Sequence, residues 1–119
     1  MTRRPGSMLI PGDVVTVDLG TPIGREAGLR RPAVVVTAAR ILRGGPNVVQ
    51  IVPLTRTIRA SSVEVLVPDD EGNGLDETSA AQCQHLRSVA TIRVDARHGN
   101  VGPAALGEIR ETLALLMDL

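Results

Sequence analysis

Valine sets the limits on what this chain can fold into. It falls in short runs: Val14, Val15 and Val17, then Val34 to Val36, then Val48, Val49 and Val52, then Val63, Val65 and Val67. Glycine and proline punctuate the sequence between them, at Gly12, Pro32, Gly44-Gly45-Pro46 and Pro68. β-branched side chains lose rotamer freedom in a helix and pack well on a pleated surface, so such runs between breakers read as strands. The expected strands cover 13–19, 32–38, 48–53 and 62–67, with 79–84 and 88–94 completing the set around a break at 85–87. Pro32 is tolerated as the first residue of its strand, where a missing donor costs little. Glu64 alternates with Val63, Val65 and Val67, which marks one wet face. Residues 98–102 read as a turn. Pro103 then sits where a first helical turn accepts it, and Leu106, Ile109, Leu113 and Leu116 follow at spacings of 3, 4 and 3. Strands first and one helix last predict a mainly β (α+β) domain: a small antiparallel β-barrel or sheet carrying a C-terminal helix.

The sequence shows no internal repeat and no linker, so a single domain is expected over 8–119. The arginine-bearing stretch 1–7 reads as a flexible leader. With 43% hydrophobic and 22% charged residues the chain is not a disordered one. No apolar run approaches the roughly 20 residues of a membrane helix, and no membrane partner is expected. Cys83 is the one cysteine of the sequence, which rules out an internal disulfide and fits the cytoplasm.

Two features of composition bear on function. The chain has no Phe, Tyr or Trp, so it cannot stack nucleic-acid bases on aromatic rings. Its net charge of zero hides an asymmetry: residues 1–60 carry nine Arg against three acids, and the remainder four Arg against ten. There is no Lys, so every fixed side-chain cation is a guanidinium, the group that meets phosphate as a bidentate fork. Opposite charge on two surfaces suits an anion on one and a protein partner on the other.

Metal chemistry finds little support. His85 and His98 are the two histidines, and Cys83 with His85 supplies two ligands where a zinc site needs more. A buried thiol on a strand is commoner than a nucleophile there. No phosphate-cradling Walker loop is present, and the glycines of the twelve-residue loop 20–31 lack a strand-turn-helix setting. That loop is long for a small β domain, as binding loops often are. A stronger constellation joins its end, Arg30-Arg31-Pro32, to Pro53-Leu54-Thr55 at the end of the next strand. A guanidinium and a hydroxyl at adjacent strand ends suit phosphoryl chemistry, the cation stabilising charge and the hydroxyl holding a non-bridging oxygen. The same residues also fit a solvated arginine and a threonine bonded to its own turn.

Four segments in order carry a resemblance. Pro11-Gly12-Asp13-Val14-Val15-Thr16-Val17-Asp18-Leu19 resembles the opening of the MazF/PemK family of toxin endoribonucleases. Arg31-Pro32-Ala33-Val34-Val35-Val36 is similar to that family's R-P signature, and Val52-Pro53-Leu54-Thr55 to its next strand end. Gln84-His85-Leu86-Arg87-Ser88-Val89 resembles a later family segment, and the terminal helix suits it too. Together they cover nearly the whole chain from Met8 onward.

The resemblance implies a homodimeric barrel, the toxin of a type II toxin-antitoxin system. It implies cleavage of single-stranded RNA at short sequences without metal or other cofactor, blocking translation and growth until a labile antitoxin wraps the dimer. DNA would be met only indirectly, through the antitoxin complex. By the same resemblance Arg31 is the catalytic cation and Thr55 its helper at the phosphate. Attack by the RNA's own 2′-hydroxyl would leave a cyclic phosphate and a free 5′-hydroxyl. Arg30, Arg56, Arg59, Gln84 and His85 are the expected RNA contacts. Gln84 stands where some members carry an acidic residue assigned as general base, and an amide cannot take a proton at neutral pH. His85 beside it replaces the usual glutamine and belongs to a residue type that titrates near neutrality. The acidic run Asp69 to Glu71 is a solvated loop, or it keeps RNA to one track or meets basic residues of the antitoxin. Two other readings share the same fold: a gyrase-inhibiting toxin of the CcdB type, whose C-terminal tryptophan this chain lacks, and a member that binds RNA or antitoxin without cutting.

Overall fold

The computed structural model describes residues 9–21, 23–25 and 29–119. The expected leader over 1–7, Met8, and Pro22 and Gly28 of the long loop lie outside the described residues. Seven strands and two α-helices follow in the order β1 (Asp13–Asp18), β2 (Arg30–Val35), α1 (Ala39–Leu42), β3 (Val48–Thr55), β4 (Glu64–Val67), β5 (Ser79–Gln82), β6 (Arg87–Ala90), β7 (Val94–Asn100) and α2 (Gly102–Met117). Single 3₁₀ turns over Cys83–His85 and Thr91–Arg93 flank β6. The strands form one antiparallel sheet in the order β4-β5-β3-β2-β1-β7, with β6 also paired to β3. This is the mainly β architecture with a C-terminal helix that the valine runs call for.

The valines are consecutive because both faces of the central strands are buried. Val15, Val17, Ala33, Val35, Val49 and Ile51 enter one apolar cluster with Leu42, Val89 and Val94. Their neighbours Val14, Val34, Val52 and Leu54 enter a second, closed by Val65, Val67, Ala81 and Cys83 and by Ile109 and Leu113 of α2. The second cluster therefore holds the helix on the sheet. Leu106, Ile109 and Leu113 are buried as their spacing predicts, but Leu116 is exposed.

β3 is the strand that organises the rest. Its first half, Val48 to Ile51, pairs with β6, and its end, Leu54 and Thr55, pairs with β5. Pro53 falls between the two partners, where its missing N–H breaks neither ladder.

Several boundaries need correcting. The strand expected over 79–84 ends at Gln82 and the one expected over 88–94 ends at Ala90, with 3₁₀ turns over Cys83–His85 and Thr91–Arg93. The one expected over 32–38 ends at Val35. β2 begins at Arg30, not Pro32, since Arg30 and Arg31 already pair with Asp18 and Val17 of β1. Residues 98–100 are not a turn but the end of β7, paired with Asp13 and Val14. Their polar and small side chains are held by distant partners: Asn100 donates to Pro11 O and to Asp13, and Arg97 donates to Asp13 at 3.0 Å. Gly99 packs against the backbone of Gly72 and Asn73, leaving no room for a Cβ. The acidic loop is equally knit. Asn73 is buried there, accepting from the N–H groups of Asp70 and Leu75 and donating to Pro68 O.

Candidate active site

Register places the site. Val35 faces Ile51 and Ala33 faces Pro53 across β2 and β3. Two residues further out on each strand stand Arg31 and Thr55, on the same side of the sheet by strand alternation. The rows that begin in the apolar cluster thus end in a guanidinium and a hydroxyl. Thr55 is also paired with Ala80 of β5, and Gln82, two residues on, is paired with Glu64 of β4. Arg31, Thr55, Gln82 and Glu64 therefore share one face. A cavity of about 560 Å³ opens over it, lined by these four with Arg59 and Ser61 from the β3–β4 connection, Arg25 from the long loop, and Gln84 and His85 from the 3₁₀ turn.

Among the described residues three guanidiniums stand against one carboxylate in this wall, so its field favours an anion. Burial, and then the nearby Arg59 cation, lower the pKa of Arg31 below its ordinary value. Thr55 Oγ accepts the N–H of Thr57 at 3.2 Å. The expected bond to its own turn is present, and it occupies an acceptor position, leaving the hydroxyl proton free to donate into the cavity. Glu64 takes N–H donors from Gln84 at 2.6 Å, Gln82 at 3.4 Å and Arg59 at 3.5 Å, all at Oε2.

Of the residues expected to act on RNA, Arg31, Thr55, Arg59, Gln84 and His85 are brought together. Arg30 and Arg56 are not among the lining residues. Arg30 points to β7 and forms an ion pair with Asp95, while Arg56 lies 3.8 Å from both Asp76 and Glu77. Sequence reasoning missed Arg25, Ser61, Gln82 and Glu64. Glu64 was expected on a wet face; that face is the cavity, and its side chain is only 3% exposed.

Cys83 is buried beneath this wall, its thiol directed at Ile109 O. Burial first, and the charge of Glu64 second, push the thiol up to about 11, so it stays protonated and packs. Among the described residues no three His, Cys, Asp or Glu side chains gather as a metal site, and no helix is long and apolar enough to cross a membrane.

Comparison with known proteins decides the family. Residues 10–117 match the family described as PemK-like, MazF-like toxin of type II toxin-antitoxin system. This chain belongs to the PemK/MazF toxin family. The match runs from the residues before β1 to the last turn of α2 and so includes the whole cavity wall.

Endoribonuclease MazF9 of Mycobacterium tuberculosis is 35% identical over 119 residues, covering 94% of this chain and 98% of that protein. A MazF crystal structure from Deinococcus radiodurans superposes with a TM-score of 0.78 at 25% identity, over 93% of this chain and 97% of that one. A mycobacterial endoribonuclease in complex with its cognate antitoxin shares the fold, with a TM-score of 0.75 at 22% identity over 93% of this chain and 96% of that one. MazF-family toxins are endoribonucleases. The mainly β fold with its C-terminal helix is the family's own.

Proposed function

We propose that this chain is the toxin of a type II toxin-antitoxin pair and cuts single-stranded RNA at short sequences without metal. The observation that carries this reading is the juxtaposition of Arg31 with a Thr55 hydroxyl whose proton is free, in a cavity rimmed by further guanidiniums. RNA supplies its own nucleophile, so the protein need only bind, orient and stabilise charge. The 2′-oxygen forms a bond to the adjacent phosphorus as the bond from phosphorus to the 5′-oxygen breaks. One proton leaves the 2′-hydroxyl and one reaches the departing 5′-oxygen, giving a 2′,3′-cyclic phosphate and a 5′-hydroxyl. Arg31 stabilises the charge that builds on the phosphoryl oxygens, and its lowered pKa makes it a better donor toward the leaving group. Thr55 donates to a non-bridging oxygen. His85, from the 3₁₀ turn, lines the cavity and contacts the sugar hydroxyl. Arg59 holds the RNA backbone, with Arg30 and Arg56 as outlying contacts.

The working unit in this reading is a homodimer in the cytoplasm, built from one domain per chain over 8–119. A cognate antitoxin protein covers the RNA groove, and growth stops when it is lost. The antitoxin-bound mycobacterial structure, of the same fold, supports that partner.

The test is purified protein on a long single-stranded RNA with chelator present, followed by analysis of the ends. Cyclic phosphate and 5′-hydroxyl ends at a short recurring sequence are expected. Absence of cleavage across the neutral pH range, or cleavage only after metal is restored, would overturn the reading.

A further inference from the structure

The connection between β3 and β4 carries Arg59 into the cavity wall on a segment that belongs to neither strand. Its backbone is pinned at both ends. Thr55 Oγ accepts the Thr57 N–H, while Ser61 accepts the Val63 N–H at its hydroxyl, 3.3 Å, and the Glu64 N–H at its carbonyl, 3.2 Å. Between these turns Ala60, the residue after Arg59, has a φ of 51°. A residue with a Cβ keeps that left-handed conformation only where its surroundings hold it.

The side chains supply a further hold. Arg59 Nη1 donates to Glu64 Oε2 at 3.5 Å, and among the described residues it is the one cation ion-paired with Glu64. The two partners differ in freedom. Arg59 is half exposed on a connection, and a side chain of its length samples many rotamers unless something fixes it. Glu64 is nearly buried, stands opposite Gln82 in the β4–β5 ladder, and receives the Gln84 and Gln82 amides at the same oxygen. The carboxylate is therefore the anchor and the arginine the group it anchors. An acid in this wall repels phosphate, which by itself weakens binding of an anion. The compensating effect is placement: a guanidinium ordered in advance loses less freedom when its ligand arrives.

We infer that Glu64 is a positioning residue for RNA cleavage, acting through its ion pair to hold Arg59 in the cavity beside Arg31. Glu64 touches neither the substrate nor the reacting atoms. It fixes where the second guanidinium stands when the phosphate enters, so its charge is needed for the rate of cutting and not for affinity. The inference rests on the reading of this cavity as the site of RNA cleavage, and it adds a role for the one acid in the described wall.

Glu64→Gln removes the charge that Arg59 needs and keeps an oxygen to accept the Gln82 and Gln84 amides. The full chain is assayed for single-turnover cleavage of a long single-stranded RNA, and for binding of a 2′-deoxy oligonucleotide, which lacks the nucleophile. In Glu64→Gln cleavage should slow at least about tenfold, because the guanidinium is no longer placed. Binding should be as tight as wild type or tighter, because a repelling charge is gone. A residue that only supports the fold would not split the two. Arg59→Met should slow cleavage as well, and adding Glu64→Gln to it should change the rate by less than about twofold, since nothing is left to position. Wild type alone gives a readout that needs no variant to fold. The order parameter of the Arg59 Nε–H group, from nitrogen relaxation, should lie near the rigid value of about 0.85. Arg40 and Arg43, exposed and without an acidic partner among the described residues, should fall below about 0.6. Unslowed cleavage in Glu64→Gln, a full further loss on the Arg59→Met background, or an Arg59 as mobile as Arg40 and Arg43 overturns the inference and leaves RNA cleavage standing. No cleavage by the wild-type protein overturns both.

Discussion

Arg31 and Thr55 each lie two residues beyond the Ala33–Pro53 pair on neighbouring antiparallel strands, and both line one cavity. Both functional groups are therefore carried by regular strand backbone anchored in the apolar cluster of Val35 and Ile51. Strands hold a constellation more closely than loops do, and the Thr57 N–H further fixes the hydroxyl. Sequence to register, and register to site, is here a single step. It yields predictions for the residues around the pair.

Arg59 lines the cavity beside Arg31 and is proposed to hold RNA there. Its positive charge is the second cause, after burial, of the lowered Arg31 pKa. Arg59→Met should let that pKa move back up toward its ordinary value. It should also weaken RNA binding across sequences and reduce the slope of log affinity against log salt by about one. Arg56→Met should do less, because Arg56 is not among the residues that line the cavity. Binding titrations over a range of salt check both. Unchanged slopes would remove these residues from the interface.

His85 is expected to exchange a proton with the substrate. Replacing it with alanine should lower kcat/KM by about a hundredfold. A variant that cleaves RNA as fast as wild type would show a histidine that merely packs.

Asp13 is a structural charge. It is fully buried and takes Arg97 at 3.0 Å, Asn100 at 3.1 Å and the Ile10 N–H at 3.0 Å. Asp13→Ala strands those donors and should cost about 3 kcal/mol of unfolding free energy, measured by urea denaturation. A loss under about 1 kcal/mol would mean that water replaces the carboxylate readily.

Cys83 gives an alkaline signature that this composition makes easy to read. The sequence has no Lys and no Tyr, so few other groups titrate there. The folded state holds the thiol proton more tightly than the unfolded chain, with a pKa raised from 9.0 to about 11. Stability from this source is complete below about pH 9 and declines as pH rises toward 11, by at most about 3 kcal/mol. Denaturation of wild type and Cys83→Ala on both sides of that window is the check. The variant should lose less stability than wild type as pH rises, and an equal loss would contradict the assignment.

Local chemistry made some of this legible and left the rest hidden. Valine runs and breakers marked most of the strands, because β-branching and proline act on their own residue. The end of β7 escaped because His98, Gly99 and Asn100 read as a turn until Asp13 and the 72–73 backbone supply the partners of Asn100 and Gly99. Leu116 keeps the helical spacing but finds no apolar partner in the cluster that takes Ile109 and Leu113. In the site, Arg31, Thr55, Arg59, Gln84 and His85 could be picked out by residue type and motif. Glu64 could not. Its alternation with Val65 and Val67 showed the side it takes, but only the pairing of β5 with both β3 and β4 shows that this side faces Arg31 and Thr55.

The central claim is that Arg31 carries out the chemistry of the cavity. The direct measurement is the single-turnover rate of RNA cleavage, with chelator, for wild type and Arg31→Ala at equal bound RNA. The account predicts a loss of about a thousandfold or more with binding reduced much less, since a charge-stabilising donor acts mainly in the transition state. A variant that folds, binds RNA and cleaves within about tenfold of wild type would contradict it.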